Sequence, residues 1–421
     1  IIILIVLAII SAIILNFKKA KYRVTESIPL VNGTINYSLA DLNIMNIYID
    51  GVEATELDST KQYTIDTTKS TCTNKDGSSI NNLSIGYESE SRQLTISPYT
   101  TKGTKCTLYF EESVLVRDTL LANYPTQLTR SDFSTTVTNT TTGTIYYEDT
   151  SKGRTYYFAG NPSDNWLKFA GFYWRIIRIN GDGSIRMIYQ GTSANTTGTG
   201  TQIQTSAFNS SYNSSEYVGY MYTTNQQHGN TTNSTIKGIL DTWYSNNLKS
   251  YADKISTEAG FCGDREMASG SSWSSTPSST IYYAGYGRLV QNSSSVNPTF
   301  KCSNSADLYT ASGSSKGNKA LTYPIGLITA DEVIMAGSSW RNENDSYYLY
   351  NKVNYWTMSP YGFFPLNTFP TNMFYIDWSG GIGIVNSAYS FGVRPVINIV
   401  GDVTLTGTGT NSDPYVVIGA E

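Results

Sequence analysis

Histidine, cysteine and charge are all in short supply in this chain, and each shortage closes off a class of function. Of 421 residues only 15% are charged, with 29 Lys and Arg against 33 Asp and Glu and a net charge of −4. No basic run is large enough to neutralise a phosphate backbone, which excludes nucleic acid as a partner. The single histidine, His228, lies in the loop-like run Asn225-Gln226-Gln227-His228-Gly229-Asn230 and reads as a solvated side chain rather than a catalyst. The four cysteines show no CxxC spacing and have no second histidine beside them, so no zinc site is expected, nor any other metal or cofactor. They fall instead as Cys72 with Cys106 and Cys262 with Cys302. Such well-separated pairs in a Ser/Thr/Asn-rich chain read as disulfides and an extracytoplasmic bulk, with four reduced buried thiols as the alternative.

What the chain does have is 33 Tyr, 35 Gly and abundant Ser, Thr and Asn, a mixture suited to β-rich surface proteins with long polar loops. Residues 1–15 are apolar and uncharged and are followed by Lys18, Lys19, Lys21 and Arg23. Residues 1–17 are therefore expected to be a transmembrane anchor, shortened at its start because the chain does not begin with Met. That anchor implies a single-pass protein of a bacterial cell membrane with its bulk outside. A polar tether, 18–41, leads to a small all-β, loosely Ig-like module, 42–112, whose Asp50-Gly51 marks a hairpin turn. A short helix stopped by Pro125 and a Thr-rich linker, together 113–144, precede the main domain, 145–421.

In that domain Phe172–Ile179 and Ser184–Tyr189 flank Asn180-Gly181-Asp182-Gly183, a clear hairpin signal. Residues 191–234 read as polar loop. Ile236, Ile239, Leu240, Trp243 and Tyr244 recur at helical spacing, and a second helix is expected from Ala330, with Thr329 as its cap and Asp331 and Glu332 in its first turn. The stretch Asn354–Ile399 begins with Tyr355-Trp356 and closes with the strand-like Gly392-Val393-Arg394-Pro395-Val396-Ile397-Asn398-Ile399. Between these ends lies an irregular aromatic segment, the way a binding surface is displayed on a scaffold. A twisted hairpin whose rings fill the core is the alternative.

The order of these motifs (WRIIRINGDGSIRMIY, the Trp243 helix, FCGDR, YPIGLITADEVIMAG, YWTMSP, GVRPVINI) resembles that of uncharacterised bacterial surface proteins with a C-type-lectin-like fold. That fold is shared with formylglycine-generating enzymes and with the variable proteins of diversity-generating retroelements. The resemblance implies an α+β, C-type-lectin-like domain over 145–421, a twisted antiparallel sheet carrying two helices. It also implies a binding site for a protein or glycan on a cell surface. The matching positions are Phe363, Phe364, Asn367, Phe369, Asn372, Tyr375, Asp377, Trp378, Asn386 and Tyr389. The calcium tripeptides of sugar-binding C-type lectins are missing, and Trp340-Arg341-Asn342-Glu343-Asn344-Asp345 is a loose echo of one of them.

No catalytic constellation stands out. Ser359 has no base near it in sequence, Asp331 and Glu332 point different ways on one helix, and Ser379-Gly380-Gly381-Ile382-Gly383 has no helix after it to hold a phosphate. Arg394 reads as a buried structural cation. Adhesion or recognition is the expected function. A formylglycine-generating-like or hydrolytic enzyme and a purely structural envelope component are the competing classes.

Overall fold

The computed structural model describes residues 43–58, 62–88, 93–97, 103–113, 116–139, 142–150 and 153–421. The chain divides into two units, Ile1–Leu115 and Val116–Glu421. In the first, Asp50 and Gly51 both take positive φ, 50° and 81°, and turn the strand Asn43–Ile49 into Val52–Ala54. The long strand Lys105–Ser113 is the hub. It pairs parallel with Asn43–Ile49 and antiparallel with Gln62–Ile65 and Thr71–Thr73. Cys72 and Cys106 face each other in that last pairing and form a disulfide. Leu108 and Phe110 from the hub pack with Ile47 and Tyr63, and a separate hairpin, Ser84–Glu88 with Gln93–Ser97, adds Ile85, Leu94 and Ile96.

The second unit holds two large sheets. A nine-stranded sheet is built on Phe172–Ile179, which pairs with Ile185–Gly191 on one edge and shares its other edge between Trp166–Phe169 and Gly153–Tyr157. The expected turn is present: Asn180 N–H donates to Ser184 O at 2.8 Å, Asp182 accepts from the Ser184 backbone and hydroxyl, and Gly183 takes φ 83°. Ile185–Gly191 passes the pairing on to Val396–Ile399. A six-stranded sheet is centred on Tyr355–Phe363. Thr371–Ile376 occupies one of its edges, while Phe391–Val393 and Ile281–Tyr282 occupy the two ends of the other.

Two of the helices are fixed at their starts by side-chain caps. Thr235–Asn247, capped by Ser234, buries Ile236, Leu240 and Tyr244 and also Lys237, which pairs with Asp241 at 2.5 Å. Ala330–Met335 has a full capping box: the Thr329 hydroxyl accepts from Glu332 N–H while the Glu332 carboxylate accepts from Thr329 N–H. The same carboxylate takes Arg186 Nε at 2.5 Å and Arg178 Nη1 at 3.4 Å, and is itself 1% exposed. Burial alone would push the Glu332 carboxyl up, but the two guanidiniums and the Thr329 hydrogen bonds hold it below the usual range.

The lectin-like α+β expectation is corrected. The chain is mostly β, 34% strand against 14% helix. Both large sheets of the second unit contain parallel pairs, and the described residues of 145–421 hold three α-helices rather than two. Strands such as Gln204–Ser206, Met221–Tyr222 and Thr232–Asn233 are two or three residues long, too short to show alternation in a Ser/Thr/Asn-rich stretch.

The single-pass membrane localisation is corrected too. No helix among the described residues is long and apolar enough to cross a membrane. The longest of them, the 13-residue Thr235–Asn247, spans about 20 Å against a hydrocarbon core of about 30 Å. The run 1–17 and the tether 18–41 lie outside the described residues.

From Val116 the stretch expected as helix and linker is packed structure of the second unit. Val116–Ala122 buries Val116 and Leu120, Tyr124 Oη donates to Asp164 O at 2.5 Å, and Arg130 Nη1 donates to Met335 O at 2.7 Å. Polar Thr and Ser composition hides such contacts, because the chain is held there by backbone and cation–carbonyl bonds rather than by an apolar face.

Glu332→Ala leaves two buried guanidiniums without their shared carboxylate and is expected to destabilise the second unit by about 3–5 kcal/mol. Thr329→Ala removes one cap and costs about 1 kcal/mol. Denaturant unfolding of both variants checks the order; a smaller loss for Glu332→Ala than for Thr329→Ala refutes it.

Candidate functional site

Both edges of the strand Tyr355–Phe363 are taken, so only its faces can meet a ligand. Near its end Tyr361, 6% exposed, is the centre of a ring cluster drawn from several separate segments. Gly362 makes this possible. A Cβ there would meet Ile281 O at 2.7 Å, so only glycine lets the short strand Ile281–Tyr282 close in and set Tyr282 against Tyr361. Four residues on, in the helix Ala284–Leu289, Tyr286 stacks on Tyr282 at 4.0 Å and meets Tyr361 at 5.4 Å. Phe364 lies 6.0 Å from Tyr361, with ring planes 23° apart. Trp340 lies 5.8 Å away with planes 6° apart, and is pinned by a bridge to Ile382. Phe374 is buried beneath, 5.1 Å from Tyr361, while Tyr282, Tyr286, Trp340 and Phe364 are all partly exposed. Burial, reinforced by Tyr282 and Tyr286, pushes the Tyr361 phenol up to about 12, and the nearby Arg341 opposes that rise.

Of the ten positions expected to bind, Phe364 belongs to this cluster. Tyr375 stands on the neighbouring strand, 4.8 Å from Phe391, and feels the Arg341 charge. Tyr389, 54% exposed, lies on the other side of Phe391. Phe369 packs edge-on against Tyr212 at 4.8 Å, Asn367 is exposed on the turn that starts at Phe364, and Trp378 is 66% exposed on the turn after Ile376.

The other four serve the fold. Phe363 is buried, Asn372 Nδ2 donates to Pro370 O, and Asn386 Nδ2 donates to Thr371 O. Asp377 Oδ1 accepts from Ser379 N–H, Ser379 Oγ and Gly381 N–H. Asn and Asp beside turns bond their own backbone, and alternate residues of a strand face inward. The ring surface is therefore not one continuous C-terminal segment. Tyr282, Tyr286, Trp340 and Arg341 were missed, although the i, i+4 tyrosines of Tyr282-Tyr283-Ala284-Gly285-Tyr286 were a usable signal.

His228 is not simply solvated. Its Nδ1 lies 3.0 Å from Oδ2 of Asp307, which is buried and also accepts from Arg265 Nε at 2.9 Å and Arg265 N–H at 2.7 Å. On the other side Nε2 lies 3.6 Å from Glu266 Oε1 and 3.5 Å from Asn304 Nδ2. A carboxylate-backed imidazole suits a general base, yet the groups beside its free nitrogen are a carboxylate and an amide rather than a nucleophile. The disulfide Cys262–Cys302 lies in this region, where Phe261–Cys262 pairs with Leu308–Tyr309. Ser359 Oγ accepts from Ala330 N–H, and Arg394 is buried on Tyr189 O, Leu349 O and Gln190 Oε1. In the Trp340–Asp345 run, Asn342 and Asn344 bond Ser339 Oγ and Gly337 O. Among the described residues no group of three or more His, Cys, Asp or Glu could hold a metal ion.

Behind the ring cluster, Arg288 of the Tyr286 helix bridges two buried acids, reaching Asp264 Oδ2 at 2.6 Å and Asp331 Oδ2 at 2.9 Å. Burial pushes the Asp264 carboxyl up to about 6. Arg288 opposes this, and Asp331 and Asp307 add to it. Searches against protein families, curated proteins and solved structures find no match to this chain.

An acid whose folded pKa is raised contributes stability that is present below its unfolded value near 3.8 and is lost as pH rises through about 6. Asp264→Asn removes that titration. Its stability relative to the native chain is expected to rise between pH 4 and pH 7.5, by about 2–3 kcal/mol at most. Urea unfolding at both pH values checks this; a difference that stays flat or falls with pH refutes it.

Proposed function

We propose that the second unit is a recognition module that binds a protein or glycan on the ring surface around Tyr361. The observation that carries this reading is the set of four partly exposed rings, Tyr282, Tyr286, Trp340 and Phe364, held by the buried Tyr361 and Phe374. Rigid aromatic side chains supply contact area at low entropic cost, and clustered rather than scattered exposure is what marks a binding face. Enzymatic readings have less to stand on, because the buried acids Asp264 and Asp331 are both engaged by Arg288.

The test is a binding screen of the full chain against glycans and cell-surface proteins. Trp340→Ala and Phe364→Ala are expected to weaken capture by about tenfold or more while leaving the thermal midpoint within a few degrees of the native value. Unfolding of both variants would make the rings core and remove the site; unchanged capture by folded variants would place binding elsewhere.

A further inference from the structure

An exposed cation at the rim of the ring surface and the paired edges of its central strand, Tyr355–Phe363, narrow its ligand. Arg341 is exposed, with its guanidinium 4.9 Å over the Trp340 ring. Its main chain is fixed in the left-handed region, φ 55°, by an N–H bond to Ile382 O at 3.0 Å. Its charge opposes the rise of the Tyr361 phenol, while at Tyr375 the Asp377 carboxylate acts in the opposite sense and outweighs it. Among the described residues no carboxylate pairs with Arg341. Asp377 Oδ1 accepts from Ser379 and Gly381, and Asp345 Oδ1 accepts from Ser346 Oγ.

Resting on the recognition reading above, we propose that the ligand is an acidic saccharide, with pyranose faces on Tyr286 and Phe364 and its carboxylate on Arg341. Trp340 positions the guanidinium. A planar guanidinium matches a carboxylate in a two-pronged hydrogen-bonded geometry that an ammonium does not. Ring faces carry partial negative charge and accept the C–H-rich face of a sugar. They would also accept an ammonium group, but Arg341 repels one and already occupies a face of Trp340. An extended peptide that docks by adding a strand could not use Tyr355–Phe363, whose edges are paired, and would need the end strand Ile382–Asn386, where Trp340 already bridges Ile382.

The experiment is titration calorimetry of the full chain with three acidic probes, trigalacturonic acid, a hyaluronan tetrasaccharide and 3′-sialyllactose. Methyl-esterified trigalacturonate and lactose serve as neutral counterparts. At least one acidic probe is expected to bind about tenfold tighter than its neutral counterpart, with affinity falling as salt rises. Arg341→Gln should abolish that preference and Arg341→Lys keep part of it, whereas Phe364→Ala should weaken acidic and neutral probes alike. Equal binding of acid and ester, an unchanged preference in Arg341→Gln, or no binding of any acidic probe overturns the proposal. Capture of a neutral glycan or a protein that is lost in Phe364→Ala would leave the recognition reading standing and sink only the acidic-saccharide assignment. Arg341-dependent binding of an acidic peptide such as tetraglutamate, without any saccharide, would also sink it.

Discussion

Arg178 and Arg186 stand directly opposite each other on adjacent strands of the Asn180–Gly183 hairpin, and both end on the carboxylate of Glu332. Like charges in that position repel, and burial makes the repulsion worse. One carboxylate cannot neutralise two guanidiniums, so the surroundings supply the rest. Arg186 also donates to Leu327 O and lies 4.8 Å over the Phe261 ring, while Arg178 lies 4.6 Å over Phe300. Glu332 meanwhile closes the capping box of its own short helix, whose first N–H, at Ala330, is held by Ser359 of the other sheet's central strand. Through a six-residue helix, the charge balance of one sheet is thus tied to the position of the other.

The neighbouring acid extends the arrangement to the ring surface. Asp331 points away from Glu332 toward Arg288, and Arg288 also holds Asp264. Next to Asp264, Arg265 turns to Asp307, which holds His228. Consecutive residues in the chain therefore serve different ion groups, and the groups are linked through those neighbours. Buried pairs of this kind add little net stability but are costly to break, so they fix geometry more than they strengthen the fold. Here the geometry fixed is that of the helix Ala284–Leu289, which carries Arg288 into the network and Tyr286 into the ring cluster.

Several of these parts could be read from the sequence because their causes are local. The Asn-Gly-Asp-Gly hairpin, the Ser234 and Thr329 caps, the apolar stripe of Thr235–Asn247 and the pairing of the cysteines all follow from spacing or turn chemistry. The site was less accessible. Of the expected positions Phe364 stands in the ring cluster, whereas Tyr282, Tyr286 and Trp340 reach it only through long-range strand pairing that no window of sequence contains. His228 was misjudged for a related reason. It looks solvated on its own segment, and only the fold brings Asp307 to it.

Part of the tyrosine richness, which suits a β-rich surface protein, has a second cause in the core. Tyr124, Tyr220, Tyr283, Tyr309 and Tyr355 are fully buried, and each phenol donates to a main-chain carbonyl: Asp164, Ile325, Ser215, Met221 and Leu349 respectively. In a chain with so much irregular backbone, many carbonyls have no ladder partner, and a buried unpaired one costs about 1–3 kcal/mol. Tyrosine meets both needs, filling the core with its ring and satisfying a loop carbonyl with its hydroxyl. Burial raises these phenols and keeps them protonated as donors. Tyr282 and Tyr286 depart from that pattern, since they stack on each other at the rim and present ring area to solvent. It is this departure, rather than the tyrosine count, on which the proposal for the surface around Tyr361 rests.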